Sequence, residues 1–491
     1  MKILFIINEL FMSEPIGILL LSAVLKENGF ETKLCSLKKH NLSIFLNDFS
    51  PDIVAYGAMT PDIRLMKIAD KIVLEWAEKS SKSKLLRIMG GAHPTFFPEI
   101  LDEMKLDAIC VGEGENAILE LVKRFEAGQP LNGISNIIPA GGNIEGMKKE
   151  LIKDLDSLPF ADRNIFYDAT PLLKDFGLRG ILTSRGCPYN CTYCFNHAYV
   201  KMFSECGKIF RRRSVENVFK EIKMVIKNYP EVRMIRFADD TFIHKMGKWE
   251  EEFFARYKKE INLPFYCLMR SNTLTDETAK HLKAAGCISI GMSLESGSEE
   301  VRNKILRRGL TDKVVTESFK MAQKYNIYTY GNGILGIPGT TLKDDIETIK
   351  FMKKIKMTDP TFTIFTPFPK TELTEYGIKN GYFHNDLSFS EGINYFTPVK
   401  MKNMTEKERM RQLNYVYLGP LFCCLPWFIF PLINVLSYLP LKNIYYLIMM
   451  TVIVVKHGLY IFPGIYPLNP IKIIKVFTEA LFHFTAKKEL K

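Results

Sequence analysis

Cysteine is scarce in this chain: ten in 491 residues, seven of them (Cys35, Cys110, Cys206, Cys267, Cys287, Cys423 and Cys424) single or merely adjacent. Such a scatter builds no disulfide framework, which excludes a small secreted scaffold and suits a reducing compartment. A leader is not evident either, because "MKILFII" runs directly into what reads as a strand, so a cytoplasmic setting is expected. Charge is missing from Gln412 to Leu441, 30 positions in a row, and again from 443 to 455. Extreme composition is missing too: 47% apolar and 24% charged residues exclude a disordered chain. The length predicts two or three domains.

Residues 1 to about 140 alternate short apolar runs ("KILFII", "TKLCSL", "DIVAYGA", "LLRIMGG", "DAICVGEG") with amphipathic stretches such as "PIGILLLSAVLKENG". Strands alternating with helices predict an α/β, doubly wound, Rossmann-like sheet, whose ligands bind beyond the carboxyl ends of the strands. The polar, glycine-rich "PAGGNIEGMKKE" closes this unit, giving expected limits of 1–145 and a linker over 146–176. A second series follows over 177–399, with strands expected at 180–184, 233–238, 265–270, 288–293, 329–335 and 361–365. Thr275 reads as a helix N-cap and Gly286 as a stop. Six βα units are too few for an eight-fold barrel and predict a partial (βα)6 barrel with chemistry on the loops after its strands.

The last region, 400–491, is apolar and basic, with twelve Lys and Arg against four Glu. Its length suits a membrane span, but Pro420, Pro426, Pro431 and Pro440 interrupt it, which favours interfacial or re-entrant insertion. Lys407, Arg409, Arg411, Lys442, Lys456, Lys472 and Lys475 flank the run and suit a cytoplasmic-leaflet anchor through 412–471. A hydrophobic subdomain covering the open side of the barrel, or lining a greasy channel, is the alternative. The charges do not interleave on a helix face, so no nucleic-acid partner is expected.

The exception to the cysteine scatter is "SRGCPYNCTYCFN", with Cys187, Cys191 and Cys194 inside eight positions. Thiolates at this density in a reducing compartment hold metal. Structural zinc takes four ligands, and only His197 or Cys206 stands nearby as a fourth. A cubane iron–sulfur cluster also takes four, so three cysteines leave one iron open to another ligand.

CxxxCxxC with an aromatic, Tyr193, before the last cysteine, following a strand, resembles the radical S-adenosylmethionine (SAM) superfamily. That resemblance implies a 4Fe-4S cluster on Cys187, Cys191 and Cys194 whose open iron chelates SAM. Reductive cleavage then gives methionine and a 5′-deoxyadenosyl radical. It further implies SAM contacts from Tyr193; from Asp239 and Asp240 in "IRFADDTF"; from Arg270 in "LMRSN"; from Ser293, Glu295 and Ser296 in "GMSLESGS"; and from Gly336 and Ile337 in "GNGILGIPGTT". Paired Asp after a strand is equally a cap or turn. "TPFPKTEL" matches the family's closing stretch, with Lys370 where glycine is usual.

"PDIVAYGAMTPD", "IMGGAHPTFFPE" and "DAICVGEGE" resemble the cobalamin-binding domain that precedes many such enzymes, implying contacts from Ala58, Met59, Thr60, Gly90, Gly91, His93, Gly112 and Glu113. The DxHxxG sequence that supplies an axial histidine elsewhere is missing. The cofactors implied are the cluster, SAM and cobalamin. The expected function is cobalamin-dependent C-methylation of an unactivated carbon in a hydrophobic, lipid or isoprenoid-like small molecule, with electrons from a low-potential donor such as ferredoxin or flavodoxin. Alternatives are a radical cyclase, oxidase or carbon–carbon bond former on a tetrapyrrole or lipid, and a non-catalytic membrane-bound cobalamin or redox sensor. The residue that reacts with the substrate is not identified at this level.

Overall fold

The structure is a computed structural model that describes residues 1–9, 14–82, 84–383, 404–467 and 471. Lys472 and Lys475 lie outside these.

Strands β1 (Lys2–Ile7), β2 (Glu31–Ser36), β3 (Ile53–Gly57), β4 (Leu86–Gly90), β5 (Ala108–Cys110) and β6 (Ile137–Pro139) form a sheet in the order β2-β1-β3-β4-β5-β6. All pairings are parallel except β5 with β6. Five of the six residues of "KILFII" are buried, because helices cover both faces of the sheet. Ile16–Glu27 and Glu115–Glu126 share one core with it, Leu42–Phe49 and Ile63–Lys79 the other. Strand order reverses between β1 and β3, and a doubly wound sheet opens its binding crevice at that switch point.

The second sheet comprises β7 (Leu178–Ile181), β10 (Met234–Phe237), β11 (Phe265–Leu268), β12 (Cys287–Gly291), β13 (Tyr328–Leu335) and β14 (Asp359–Ile364). Its order is β14-β13-β12-β11-β10-β7, parallel throughout, with β7 and β14 at the two edges and not paired to each other. This is the open six-stranded barrel that the alternation predicts. Between β7 and β10 lies a short antiparallel pair, β8 (Ser184–Arg185) with β9 (Arg211–Arg212). Thr275 accepts from the Thr278 amide and Gly286 closes the same helix at φ 107°, as their residue types dictate.

Residues 146–176 are more than a tether. They carry the helices Arg163–Ala169 and Pro171–Lys174. The buried Arg163 guanidinium donates to Glu14 (2.6 Å), Glu221 (3.0 Å) and the Gly180 carbonyl (2.8 Å), riveting the first sheet to the second. A charge removed from water on this scale needs pairing and hydrogen bonds, which both terminal nitrogens of Arg163 have, while its Nε has no partner among the described residues.

The C-terminal region divides its apolar surface. Helix Glu406–Cys424 opens with a Thr405/Glu408 capping box and packs on β14 and on helix Leu342–Lys354. Residues 457–466 cross the amino end of the barrel, where the Ser289 hydroxyl donates to the Ile461 carbonyl (2.6 Å) and the Gly177 amide to that of Ile465 (2.7 Å). Covering the barrel, one of the two expected roles of this region, falls to these two segments. Between them Lys442–Ile461 forms 20 residues of helix with mean hydropathy 1.7, only 17% buried.

Candidate functional site

The ribbon β8–β9 delivers the chain into the three-cysteine loop. Gly186, at φ 84°, passes so close to the Ile209 carbonyl that a Cβ would lie 2.5 Å from its oxygen; no side chain fits there. Downstream, the Thr192 amide and hydroxyl donate to the carbonyls of Leu306 (3.2 Å) and Ile305 (2.7 Å), while the Thr192 carbonyl accepts from Leu373 (2.9 Å). The loop is thereby held at both ends.

Cys187, Cys191 and Cys194 are all free thiols, with Cys191 buried and the others half-buried. Burial, reinforced by the neighbouring cysteines, pushes Cys194 up to about 12 and raises Cys187. Thiols raised in this way give up their protons when they bind metal as thiolates. Among the described residues no three or more His, Cys, Asp or Glu side chains converge on one point as a single ion requires. In a cubane each thiolate binds a different iron, so the three sulfurs need not meet at one ion. The Arg270 guanidinium donates to the Cys191 sulfur (3.4 Å) and stacks on Tyr189, 3.8 Å from the ring centre. A cation against a sulfur ligand compensates the negative charge a thiolate-bound cluster brings.

The acidic pair splits. Asp239 is fully buried, and its Oδ1 accepts from the amides and hydroxyls of Thr183 and Ser184, bracketing the end of β7 to that of β10. Burial raises it to about 6, and its Oδ2 has no partner. Asp240 is open to solvent yet walled by protein, which raises its carboxyl, while Asn196 hydrogen-bonds it. Of the two, Asp240 is the one a ligand can reach.

Beyond β12 the chain forms a charged knot. Glu295, a non-glycine residue at φ 68°, accepts from the Tyr193 hydroxyl (3.1 Å) and faces Arg308 at 3.3 Å. Arg308 also donates to the Tyr193 hydroxyl and the Ser293 carbonyl. Burial raises Glu295, against the pull of Arg308, Tyr193 and Asn332. Tyr193 thus ties the cysteine loop to the fourth barrel strand. The Ser293 hydroxyl accepts from Asn332 and that of the buried Ser296 from Ser298, so both shape the backbone here. Gly336 (φ 71°) sits against the C-terminal helix: a Cβ would lie 2.7 Å from the Gln412 amide nitrogen. Its own amide donates to the buried Asp345 (2.8 Å), which Gln412 also bonds (2.8 Å). Ile337 is buried beside Tyr193 in one small apolar cluster.

At the switch point of the first sheet lies a cavity of about 340 Å³, lined by the strand-end residues Gly57, Gly90, Gly91, Gly112 and Glu113 and by Arg185. Gly91 (φ 104°) and Gly112 (φ 86°) could carry no side chain: a Cβ would lie 2.7 Å from the Ala58 carbonyl oxygen in one case and 2.5 Å from the Phe203 ring in the other. Bare backbone around a partly apolar cleft of this volume fits the slender nucleotide arm of a corrinoid. Ala58 is buried and accepts from the His93 amide, while Met59 is more than half exposed. His93 is buried, hydrogen-bonded to Thr60 (3.2 Å) and stacked on Phe97; burial lowers it to about 4, so it is neutral at pH 7. Glu113 also lines the cavity, with protein partners on both carboxylate oxygens. It binds Arg211 and Arg185 and accepts from the Ile152 amide, and these partners outweigh burial to hold it below the usual carboxylate range.

The two candidate sites adjoin. Arg185, two residues before Cys187, lines the cavity and pairs with Glu115 of the first domain. Phe195, directly after Cys194, stacks on Phe96 at 4.5 Å, and Phe203 is buried in the first domain's core.

Residues 181–352 match the Radical SAM superfamily and residues 6–122 the B12 binding domain family. The chain is a radical SAM enzyme with a B12-binding domain ahead of its barrel. This radical SAM chain is 29% identical over 421 residues to an uncharacterised methyltransferase of Pyrococcus horikoshii, covering 82% of the chain and 87% of the relative. It is 24% identical to an anaerobic magnesium-protoporphyrin IX monomethyl ester cyclase of Rubrivivax gelatinosus, covering 78% and 69%. The solved structure of TsrM, a radical SAM methyltransferase from Kitasatospora setae with cobalamin and a [4Fe-4S] cluster bound, has the same fold: TM-score 0.67 at 13% identity over 93% of this chain and 99% of that one.

Sequence reasoning missed Arg308, Asn332, Asn196, Asp345 and Gln412. Asn196 and Asn332 sit inside recognised motifs and Asp345 just past one; Arg308 and Gln412 sit in none, and only the fold brings Gln412, 76 positions after Gly336, into contact with it.

Proposed function

We propose that this radical SAM enzyme is a cobalamin-dependent C-methyltransferase acting on an unactivated carbon of a hydrophobic small molecule. The observation that carries the reading is adjacency: Arg185 belongs both to the cavity of the B12-binding domain and to the strand leading into Cys187. When bound, the cluster supplies the electron that splits SAM and cobalamin supplies the methyl group. The chain's own work is to hold these groups face to face and to exclude water. Cys187, Cys191 and Cys194 would hold the cluster, and Arg270 would balance its charge. Tyr193, Asp240, Glu295 and the Gly336–Ile337 backbone would orient SAM, with Asp239, Ser293 and Ser296 shaping the loops around it. The glycine-rich strand ends at Gly90, Gly91 and Gly112 would take the corrinoid arm, beside Ala58, Met59, Thr60 and His93. A low-potential donor such as ferredoxin or flavodoxin would supply the electron, and a membrane surface would be where an apolar substrate is met.

The methyltransferase names of the relatives support methyl transfer; the cyclase among them supports a second reading, radical ring formation without it. Anaerobically reconstituted enzyme, given SAM, a reductant and lipid extract, should yield 5′-deoxyadenosine together with S-adenosylhomocysteine and a methylated product. Deoxyadenosine with neither of the other two would remove methyl transfer and favour the cyclase-type reading.

A further inference from the structure

We infer that Phe430–Leu436 and Lys442–Ile461 lie in the plane of an anionic bilayer surface, docking the enzyme as a monotopic membrane protein without crossing it. The inference shares with the proposed function only the apolar substrate, and vesicle binding is read separately from chemistry.

Among the described residues the face itself is unpartnered apolar surface. Phe428 is 77% exposed, and Leu432, Val435, Ile444, Leu447 and Leu459 are each more than half exposed. Ile444, Leu447, Val455 and Leu459 recur at helical spacing on one side, while Tyr445 and Met449 on the other are buried. A contiguous apolar surface of this kind marks an interaction site. Charge selects the partner: no Asp or Glu occurs between Glu408 and Glu479, while Arg409, Arg411, Lys442 and Lys456 do. Arg409 is already paired with Glu406 (2.8 Å) and Lys456 with the Thr358 carbonyl. Exposed Lys442, with Lys350 over the Phe430 ring (4.1 Å), therefore carries the positive charge beside this face that attracts anionic phospholipid and repels a second copy.

The anchoring decides between crossing and lying flat. Twenty helical residues are long enough to cross the hydrocarbon core. Both ends of the helix, however, are tied to the same domain. Just before it, the Ser437 and Leu439 carbonyls accept from Asn414 (both 2.9 Å), which lies in the helix packed on β14. At its far end Lys456 donates to the Thr358 carbonyl (2.6 Å), and His457 meets the buried Asp359 at 2.6 Å. Beyond that, Arg233 donates to the carbonyls of Ile465 (3.0 Å) and Tyr466 (2.7 Å). Crossing would carry residues 457–466 to the opposite side and strip the amino end of the barrel. An interfacial helix keeps every one of these bonds.

The test is co-sedimentation of the full chain with phosphatidylcholine vesicles, with and without phosphatidylglycerol. Wild type should pellet with the anionic vesicles and dissociate in high salt. Leu447→Glu/Leu459→Glu should weaken binding about tenfold or more, the scale of one buried leucine. Lys442→Glu should weaken it less and blunt the salt dependence. Both variants should keep wild-type cobalamin content and SAM cleavage in detergent, which separates lost docking from lost fold or chemistry. Wild type left in the supernatant, or a double variant that binds equally well, overturns the inference. So does a wild-type dimer dissolved by the double variant. A C-terminal tag shielded from external protease while the amino terminus is cleaved would mean crossing, and overturns the in-plane placement.

Discussion

Arg308 and Glu295 illustrate what a single residue does at this site. Both are buried, and each neutralises the other beside Tyr193. Arg308→Met should cost about 3–5 kcal/mol, because it strands a buried carboxylate. Glu295→Gln in the same chain should recover much of that stability without restoring SAM affinity. Thermal melts and SAM titrations on both variants check this, and a double variant as unstable as the single one would contradict it. Cys187, Cys191 and Cys194 stand out as candidate ligands from spacing alone, since thiolate ligation needs little beyond local sequence. Glu295 was legible only through its motif. Its partner Arg308 was not, because an ordinary "LRRG" at 306–309 becomes a counter-ion only once two barrel loops meet. The Asp pair was half legible: sequence names both, but burial decides that Asp239 braces the strand ends while Asp240 stays exposed.

At the scale of elements, the strand-to-helix alternation predicted both sheets, since buried parallel strands must read as continuous apolar runs. What spacing could not supply is how elements dock. Gly112, at φ 86° against the Phe203 ring, is where the B12-binding domain meets the helix that follows the cluster loop. Gly112→Ala should cost about 1–2 kcal/mol from the left-handed backbone alone. It should also lower the cobalamin retained through gel filtration; unchanged retention and an unchanged melting temperature would contradict this reading of the contact. The Glu406–Cys424 helix touches the SAM-side loop through Gln412, Asp345 and Gly336. Burial pushes Asp345 up to about 7 from 3.8. Because its folded-state affinity for a proton is raised, its contribution favours the fold at low pH and declines as pH rises from about 4 to about 7. Asp345→Asn should flatten that part of the stability–pH profile. A slope unchanged between wild type and variant in melts over that range would show that Asp345 titrates normally.

For the whole molecule, the decisive feature is that two domains present their ligand faces to each other. Arg185 and Arg211 reach from the barrel to carboxylates of the first domain, and Arg163, in the segment between, pairs with one carboxylate of each. The N-terminal position of the B12-binding domain was readable as a motif order, but its rigid seating was not, because Glu14 and Arg163 are 149 positions apart and carry no motif. That seating sets the strand leading into Cys187 against the first domain's cavity through Arg185. The most direct test is anaerobic reconstitution of wild type and Cys191→Ala, with iron, sulfide and cobalamin quantified and SAM cleavage followed under reducing conditions. The account predicts one four-iron cluster and one cobalamin per wild-type chain, with SAM split to 5′-deoxyadenosine; the variant should keep its cobalamin and lose both cluster and cleavage. Zinc in place of the cubane, or a variant that cleaves SAM as wild type does, would contradict it.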